Sequence, residues 1–490
     1  MNSVQKIVKN IGVIGISQVL LAVFSFAFMI YLARFLGEAG FGEYSFVLSL
    51  TSLFVIFTDL GVNQLIVREI AREREHAEKY VNNAFLLKIP LSIATFIGII
   101  ILTSILNFQA DLTLLLYLFG LYNIFQTLSL TYISLFQALE KMEYIALFRI
   151  IENIIIVFLG FLVLFMGYGI IEIGYVYLIA GIFDIIIAMK ISFKKIIEPK
   201  FNINLKLQKE LLIKGLPFGL NSLFAVFFFQ IDTIILAFMS GSVAVGIYNA
   251  AYNPLLSLSM IISLMVSTSV YPVMSRQFKD SKHALESLTV LSSKYLAIVG
   301  FPIALGCLVL AEKFIMLFYA GKFLDSILPF QILALFIPIR LISSITSTFL
   351  SSINRQGLRT VSLFLSAVFN IILNLILIPL FSFVGASIAT VASEMLLYCL
   401  FIFFITRNYG FININKVILK PLLASLIMAV FIYFIKDLNL ILIIIVATIV
   451  YFTTLIFLKT FDSEDKNLII NLIGQKNKIL LRKLVEFKNE

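Results

Sequence analysis

The chain of 490 residues has no tryptophan, two cysteines, two histidines and only 13% charged residues, and each scarcity removes a class of function. Cys307 and Cys399 both fall inside apolar runs, where neither a disulfide framework nor a thiolate metal site is expected; they read as small buried hydrophobes. His76 and His283 both sit in charged loops, so a histidine-based triad or zinc site within the apolar runs has no support. The missing tryptophan leaves the interfacial aromatic role to tyrosines near span ends, such as Tyr31, Tyr44, Tyr80 and Tyr117. No polar stretch is long enough for a soluble domain. The formal net charge of +10 is spread over many short loops with no basic stripe, so nucleic acid is not an expected partner.

What is present is apolar side chain: 61% hydrophobic residues and a mean hydropathy of +1.06, more than a water-exposed globule could cover. A bilayer core takes roughly 20 helical residues. Apolar runs of that size predict spans at about 10–34, 43–67, 81–105, 112–138, 144–167, 172–193, 211–238, 245–275, 287–310, 326–353, 358–380, 384–406, 417–435 and 439–458. The first is longer than a signal-peptide core and no small-residue cleavage pattern follows it, so it is expected to be retained. With both termini placed in the cytoplasm, 29 Lys and Arg fall on the cytoplasmic side and four, Arg34, Lys313, Lys322 and Lys436, on the other. That bias follows the positive-inside rule, and an omitted span would scramble it. A multi-pass protein of the cell membrane is expected.

A weak internal repeat organises the spans. A shift of 204 places Gly15-Ile16-Ser17-Gln18 on Gly219-Leu220-Asn221-Ser222 and Gly42-Glu43-Tyr44 on Gly246-Ile247-Tyr248. Arg72 falls on Arg276 at the same shift, Lys88 on Lys294 at 206 and Asp184 on Glu394 at 210, a drift that loop insertions would produce. Six spans per copy is an even number, so the copies are expected to be related by an axis along the membrane normal. The predicted fold is an all-α integral membrane protein with 14 transmembrane helices. Two pseudo-symmetric six-helix lobes, 1–205 and 206–410, surround a central cavity; two further spans occupy 411–460 and a basic amphipathic tail 461–490, suited to anionic lipid or to a lid.

Several motifs, in order, carry a resemblance. They are Ala33-Arg34-Phe35-Leu36-Gly37, Gly42-Glu43-Tyr44, Thr58-Asp59-Leu60-Gly61 and Val67-Arg68-Glu69-Ile70-Ala71-Arg72 in the first half. In the second half they are Gln230-Ile231-Asp232-Thr233 and Val245-Gly246-Ile247-Tyr248-Asn249-Ala250-Ala251-Tyr252. With the span count and duplication, the chain resembles the multidrug/oligosaccharidyl-lipid/polysaccharide exporter superfamily, in the polysaccharide-transporter branch that includes O-antigen flippases. The long charged segment 68–79 and the lack of a compact acidic cluster in one lobe depart from the drug exporters and favour that branch.

Nine Asp, Glu, Lys and Arg residues lie deep inside the predicted spans, at least five residues from either end: Asp59, Lys88, Arg149, Glu152, Asp184, Asp232, Lys294, Arg340 and Glu394. Each costs about 2.5–3.5 kcal/mol at a helix centre on insertion scales, so such side chains are expected to face protein or water. Lys88 and Lys294 occupy equivalent positions and suit a diphosphate across the cleft, or snorkel to the interface. Arg340, near mid-span, is expected to line the cavity or to pair with Glu394. Arg149 and Glu152, three apart, pair on one helix face by default, with Arg149 also a candidate cargo ligand. Asp184 and Glu394 are expected to neutralise the two lysines. Asp59 and Asp232 have no counterparts under the repeat. They suit either a coupling site for H+ or Na+ or packing carboxylates satisfied by Thr58, Asn63 or Gln230. Arg34 reads as an interface anchor or, by the resemblance, as a residue bordering the outward cavity. Gly12 and Gly15, and Gly215, Pro217 and Gly219, mark either bending at a cytoplasmic gate or crossings of small residues.

The function expected is alternating-access translocation of a polyprenyl- or dolichyl-phosphate-linked oligosaccharide. The expected partners are that lipid, membrane lipids, Na+ or H+, and glycosyltransferases of the same pathway. No catalytic residue, metal or cofactor is expected. Two rivals are a cation-coupled small-molecule exporter on the same fold and a membrane-embedded glycosyltransferase or polymerase. The latter finds few carboxylates in the outer loops.

Overall fold

A chain in hydrocarbon must satisfy every backbone N–H and C=O internally, and helices do so within one segment. The computed structural model describes the backbone at residues 3–198 and 202–461 and the side chains from residue 21 on, residues 22 and 415 excepted. The described residues are nearly all helical. The elements are α1 (Ser3–Asp59), α2 (Val62–Arg72), α3 (Ala77–Leu106), α4 (Ala110–Ala138), α5 (Met142–Phe165), α6 (Ile170–Lys195) and α7 (Leu205–Asp280). They continue with α8 (Lys282–Val309), α9 (Ala311–Tyr319), α10 (Ile327–Ala334), α11 (Phe336–Ser352), α12 (Gln356–Asn408), α13 (Asn415–Ile435) and α14 (Leu440–Phe457). Among the described residues, 11 helical segments are long and apolar enough to cross a membrane, with α10 and α11 counting as one. The expected tail past Phe461 lies outside the described residues.

Three of the helices are interrupted where the sequence predicts breaks between spans. Gly37 (φ 70°, ψ −173°) breaks α1 and Gly241 (φ 83°, ψ 178°) breaks α7, both in a region glycine tolerates at no steric cost; they are 204 residues apart. Ser382 (φ 47°, ψ −128°), three residues after Pro379, breaks α12. Two spans differ from expectation. The run at 43–67 is cut at Leu60 (φ 48°) and Gly61 (φ 81°), which separate α1 from α2. The run at 326–353 is cut at Leu335, because Pro338 has no N–H to bond the carbonyl of Ala334.

The bundle is apolar outside as well as in its core, with polar side chains also buried between the helices. Large apolar side chains cover its outside, Phe165, Ile105 and Phe434 among the most exposed, while Ser129, Thr131, Asn374, Ser387 and Ser393 are fully buried. Some buried hydroxyls bond carbonyls one turn back, as Thr289 does with Leu285 at 2.7 Å and Ser387 with Phe383 at 2.8 Å, and so cost little in a dry interior. α1 packs mainly on α7, α7 on α12, α4 on α6, and α8 on α13, which carries α14.

The α1–α7 contact is closest at two places, both built on glycine. Beyond the breaks, a Cβ at Gly42 would lie 1.8 Å from the carbonyl oxygen of Ser242, and one at Gly246 would lie 1.9 Å from that of Glu38. These pairs are related by the same shift of 204, so each half inserts its glycine against the other's backbone. At the Asp59 end, a Cβ at Gly61 would meet the Gly215 carbonyl oxygen and the Gly219 nitrogen at 2.3 Å each. α7 stays helical through Pro217, and Gly215 and Gly219 form a docking notch here, a crossing of small residues.

Candidate functional site

Between the two seams lies a cavity of ≈ 590 Å³, walled by α1, α4, α5 and α6 on one side and α7 on the other. Its first wall carries a chain of polar contacts. The Tyr44 and Tyr177 hydroxyls are 2.6 Å apart, Tyr122 donates to Glu152 Oε1 at 2.9 Å, and Gln126 Nε2 donates to the same oxygen. Arg149 Nη1 completes the wall, 3.3 Å from Glu152 Oε2. The second wall presents Gln230, Asn249, Asn253 and Ser257. Ser49 Oγ donates to Gln230 Oε1 at 2.7 Å and ties the walls together. Hydroxyls, amides, aromatic faces and one guanidinium are the groups that hold a sugar or a phosphate.

A second cavity, ≈ 680 Å³, runs between α7, α8, α13 and α14 and is lined by apolar side chains such as Leu258, Val299, Pro302, Met428 and Ile444. Phe26, Ser257 and Ile261 line both cavities, so groove and chamber share a wall. A third, ≈ 520 Å³, lies near the Asp59 end, lined by Asp59, Asn63, Gln64, Thr127, Gln137 and Ser222 among others.

The charges expected inside the spans fall into distinct environments. Lys88 is fully buried on α3; its ammonium is 2.6 Å from Asp59 Oδ1, 2.6 Å from Asn63 Oδ1 and 3.3 Å from the Thr127 carbonyl. Asp59, where Asp184 was the expected partner, thus neutralises Lys88, and it also accepts the Asn63 N–H at the start of α2. Lys294 is buried on α8 and is itself partnered. Neither lysine lines the central cavity. Arg340 is held 2.5 Å from Glu394 and 4.4 Å from the centroid of the Phe229 ring. Glu394 therefore serves Arg340, while Asp184 is buried with Oδ2 unpartnered. Arg149 and Glu152 pair along α5, and Arg149 opens onto the chamber. Arg34 sends Nε to the Phe318 carbonyl and Nη2 to that of Leu317.

Asp232 stands apart. It is 1% exposed, and its contacts are neutral: the Asn374 amide, the Thr390 hydroxyl at 2.9 Å and the Tyr248 hydroxyl at 3.1 Å. The Thr390 hydroxyl is also 2.9 Å from the Ala386 carbonyl, and Asn374 Oδ1 is buried without a donor. Asn374 and Asn370 lie one turn apart on α12. Sequence reasoning that searched for ionisable residues missed these amides, although two asparagines at i and i+4 in an apolar run are a visible signal. It also missed the polar roles of Tyr44, Tyr122 and Tyr177 along the chamber wall and of Tyr248, the repeat counterpart of Tyr44, at Asp232.

Fold and chamber together define a multi-span membrane transporter. The family model described as polysaccharide biosynthesis protein matches residues 7–278, and the chain belongs to that family, in the polysaccharide flippase branch of the multidrug/oligosaccharidyl-lipid/polysaccharide exporter superfamily. The MatE model matches residues 217–376. An uncharacterized membrane protein of Methanocaldococcus jannaschii is 27% identical over 400 residues, 78% of this chain and 94% of that protein. The probable low-salt glycan biosynthesis flippase Agl15 of Haloferax volcanii is 24% identical over 366 residues, 74% of this chain and 76% of that one. Among solved structures, the lipid II flippase MurJ in an inward closed conformation superposes with a TM-score of 0.75 at 18% identity, covering 90% of this chain and 97% of that one. An inward-facing multidrug resistance MATE family transporter gives 0.67 at 14% identity, covering 82% and 98%.

Proposed function

We propose that the protein is a flippase for a lipid-linked oligosaccharide, carried on a polyprenyl or dolichyl phosphate and moved across the cell membrane by alternating access. One observation carries the reading: a polar chamber and an apolar groove share a wall at Phe26, Ser257 and Ile261. An amphipathic cargo needs both at once, its sugar-phosphate head in the chamber and its chain in the groove. The relative from Haloferax volcanii, a probable glycan biosynthesis flippase by name, supports the same cargo class.

Counting each helix broken at Gly37, Gly241 and Ser382 as two spans turns 11 segments into 14, in lobes 1–205 and 206–410 followed by 411–460. With both termini cytoplasmic, the Gly42–Gly246 seam is the outer gate and the Gly61 notch lies at the cytoplasmic end. Of the cations assigned to the cargo, Arg149 is presented to the chamber in this state. Lys88, Lys294, Arg340 and Arg34 are engaged within the protein, and each meets phosphate only by exchanging its partner. Asp232, with Asn370, Asn374 and Thr390 around it, is the coupling site for Na+ or H+; a hard cation takes carboxylate, amide and hydroxyl oxygens together.

The test is reconstitution into vesicles with fluorescent lipid-linked oligosaccharide, scored as loss of inner-leaflet label. Transbilayer movement of the unchanged lipid supports the reading, and a new glycosidic product would replace it with the glycosyltransferase alternative. The likeness to the MATE fold keeps a cation-coupled small-molecule exporter as the second reading. That reading requires export of an organic cation with no response to the lipid-linked sugar.

A further inference from the structure

The outer seam carries a reciprocal clasp that the chamber does not need for binding. Arg34 lies in the last turn of α1 before the break at Gly37, and its guanidinium donates to the Leu317 and Phe318 carbonyls. Those carbonyls belong to the last turn of α9, which ends where Ala320 turns left-handed (φ 52°), and a helix leaves its last carbonyls without internal donors. A cation there is favoured both by hydrogen bonding and by the helix dipole. In return Lys322, just past the end of α9, donates Nζ to the Arg34 carbonyl at 2.8 Å. Each half thus supplies a cation to a broken helix end of the other.

The clasp stands at the junction of everything that must move. Glu38, one residue past the break in α1, gives the carbonyl that Gly246 packs against. Phe318, whose carbonyl Arg34 holds, meets Phe26 edge-on at 5.5 Å, and both rings line the groove. Separation of Gly42 from Ser242 and of Gly246 from Glu38 carries α1 away from α9, and the clasp cannot survive it.

We propose that Arg34 is the latch of the outer gate: it holds the seam closed through the α9 carbonyls and is released to a phosphate-bearing lipid when the gate opens. The phosphate half rests on the flippase reading; the latch half does not. The exchange is of like for like, since a phosphate oxygen accepts from the same planar fork that two carbonyls occupy here.

The experiment uses the full chain in lipid nanodiscs, with Cys307 and Cys399 replaced by serine and spin labels on cysteines at Gln109, in the loop before α4, and Glu312, in the first turn of α9, exposed residues of the two halves expected on the outer face. In Arg34→Gln the long-distance component is expected to grow relative to the short one by about tenfold, the scale of losing hydrogen bonds from a charged donor. Lys322→Gln should give a smaller shift and Arg34→Lys a partial return. An unchanged distribution in a folded Arg34→Gln chain overturns the latch. Dodecyl phosphate, with dodecanol as control, should lengthen the distance in the native chain and add nothing in Arg34→Gln. A phosphate response that persists undiminished in Arg34→Gln overturns the exchange. If Arg34→Gln opens the gate but the native chain ignores dodecyl phosphate, the latch stands and the exchange with phosphate falls, while the flippase reading itself falls only if the vesicle assay shows no movement of the lipid-linked oligosaccharide.

Discussion

Asp59 in the first half and Asp232 in the second begin as equals, two intramembrane carboxylates without counterparts under the repeat, and the fold gives them opposite company. Asp59 has an ammonium at 2.6 Å and caps a helix start, whereas Asp232 has an amide and two hydroxyls. A carboxylate with a built-in cation is already neutralised and resists exchange. One surrounded only by neutral groups has no internal cation, which on the proposed function leaves it free to take one from outside. On that same proposal the contrast separates stability from coupling, and each is tested by its own substitution.

The largest effect is expected from Lys88→Met. It strands Asp59 beside a buried site, and breaking one partner of a buried pair costs about 3 kcal/mol or more. The fall in melting temperature in detergent measures it, and Lys88→Met with Asp59→Asn should recover most of the loss. If the single and double variants melt together, the pair is not what holds α3 to the Asp59 elbow. Arg340→Met ranks next, at about 2–3 kcal/mol, because it leaves Glu394 buried at 3% exposure and removes the stack on Phe229. Adding Glu394→Gln should restore much of it, and a double-mutant cycle gives the coupling directly.

Asp232→Asn is expected to cost only about 1 kcal/mol, since the amide keeps one acceptor oxygen and the Tyr248 and Thr390 hydroxyls can rotate to suit the new donor. Its consequence is functional: transport measured with and without an imposed Na+ or H+ gradient should lose the difference. Asp59→Asn should keep that difference. The reverse pattern moves the coupling site to the first half and ends the contrast between the two carboxylates.

How much of this was legible follows from distance along the chain. The breaks at Gly37, Gly241 and Ser382 fall inside gaps between apolar runs, and the shift of 204 that aligns Gly42 with Gly246 also aligns the two break glycines. Backbone geometry of that kind is local and repeats with the sequence. The Arg149–Glu152 pair was readable for the same reason, three residues on one helix. Lys88 with Asp59 and Arg340 with Glu394 join residues on different helices; the second pair is among the sequence expectations, whereas for Lys88 the sequence points to Asp184, because only the α1–α3 packing brings Asp59 to it. The elbow at Leu60–Gly61 hid inside an apolar run because hydropathy does not report a positive φ. Asn370, Asn374 and Thr390 were passed over because a search for charge does not weigh neutral oxygens, although the two asparagines one turn apart in an apolar run are in plain view.

Arg149 gives the smallest expected stability effect and so isolates binding. Its side chain is 36% exposed toward the chamber, and an ion pair that open to water contributes under about 1 kcal/mol, so Arg149→Gln should melt within a degree or two of the native chain. The guanidinium nevertheless offers donors that Glu152 and Gln126 only partly use, at 3.3 and 3.4 Å, and a phosphate entering the chamber can take the rest. Losing one charge-assisted contact to the cargo should raise the half-saturating concentration of lipid-linked oligosaccharide about tenfold, with Arg149→Lys in between. An unchanged half-saturation would mean that the chamber grips sugar through Tyr122, Asn153 and Asn253 alone and that the phosphate stays at the groove mouth. The chamber wall of the first half would then supply only sugar contacts, and recognition of charge would fall to Arg34 at the outer seam and to the second half.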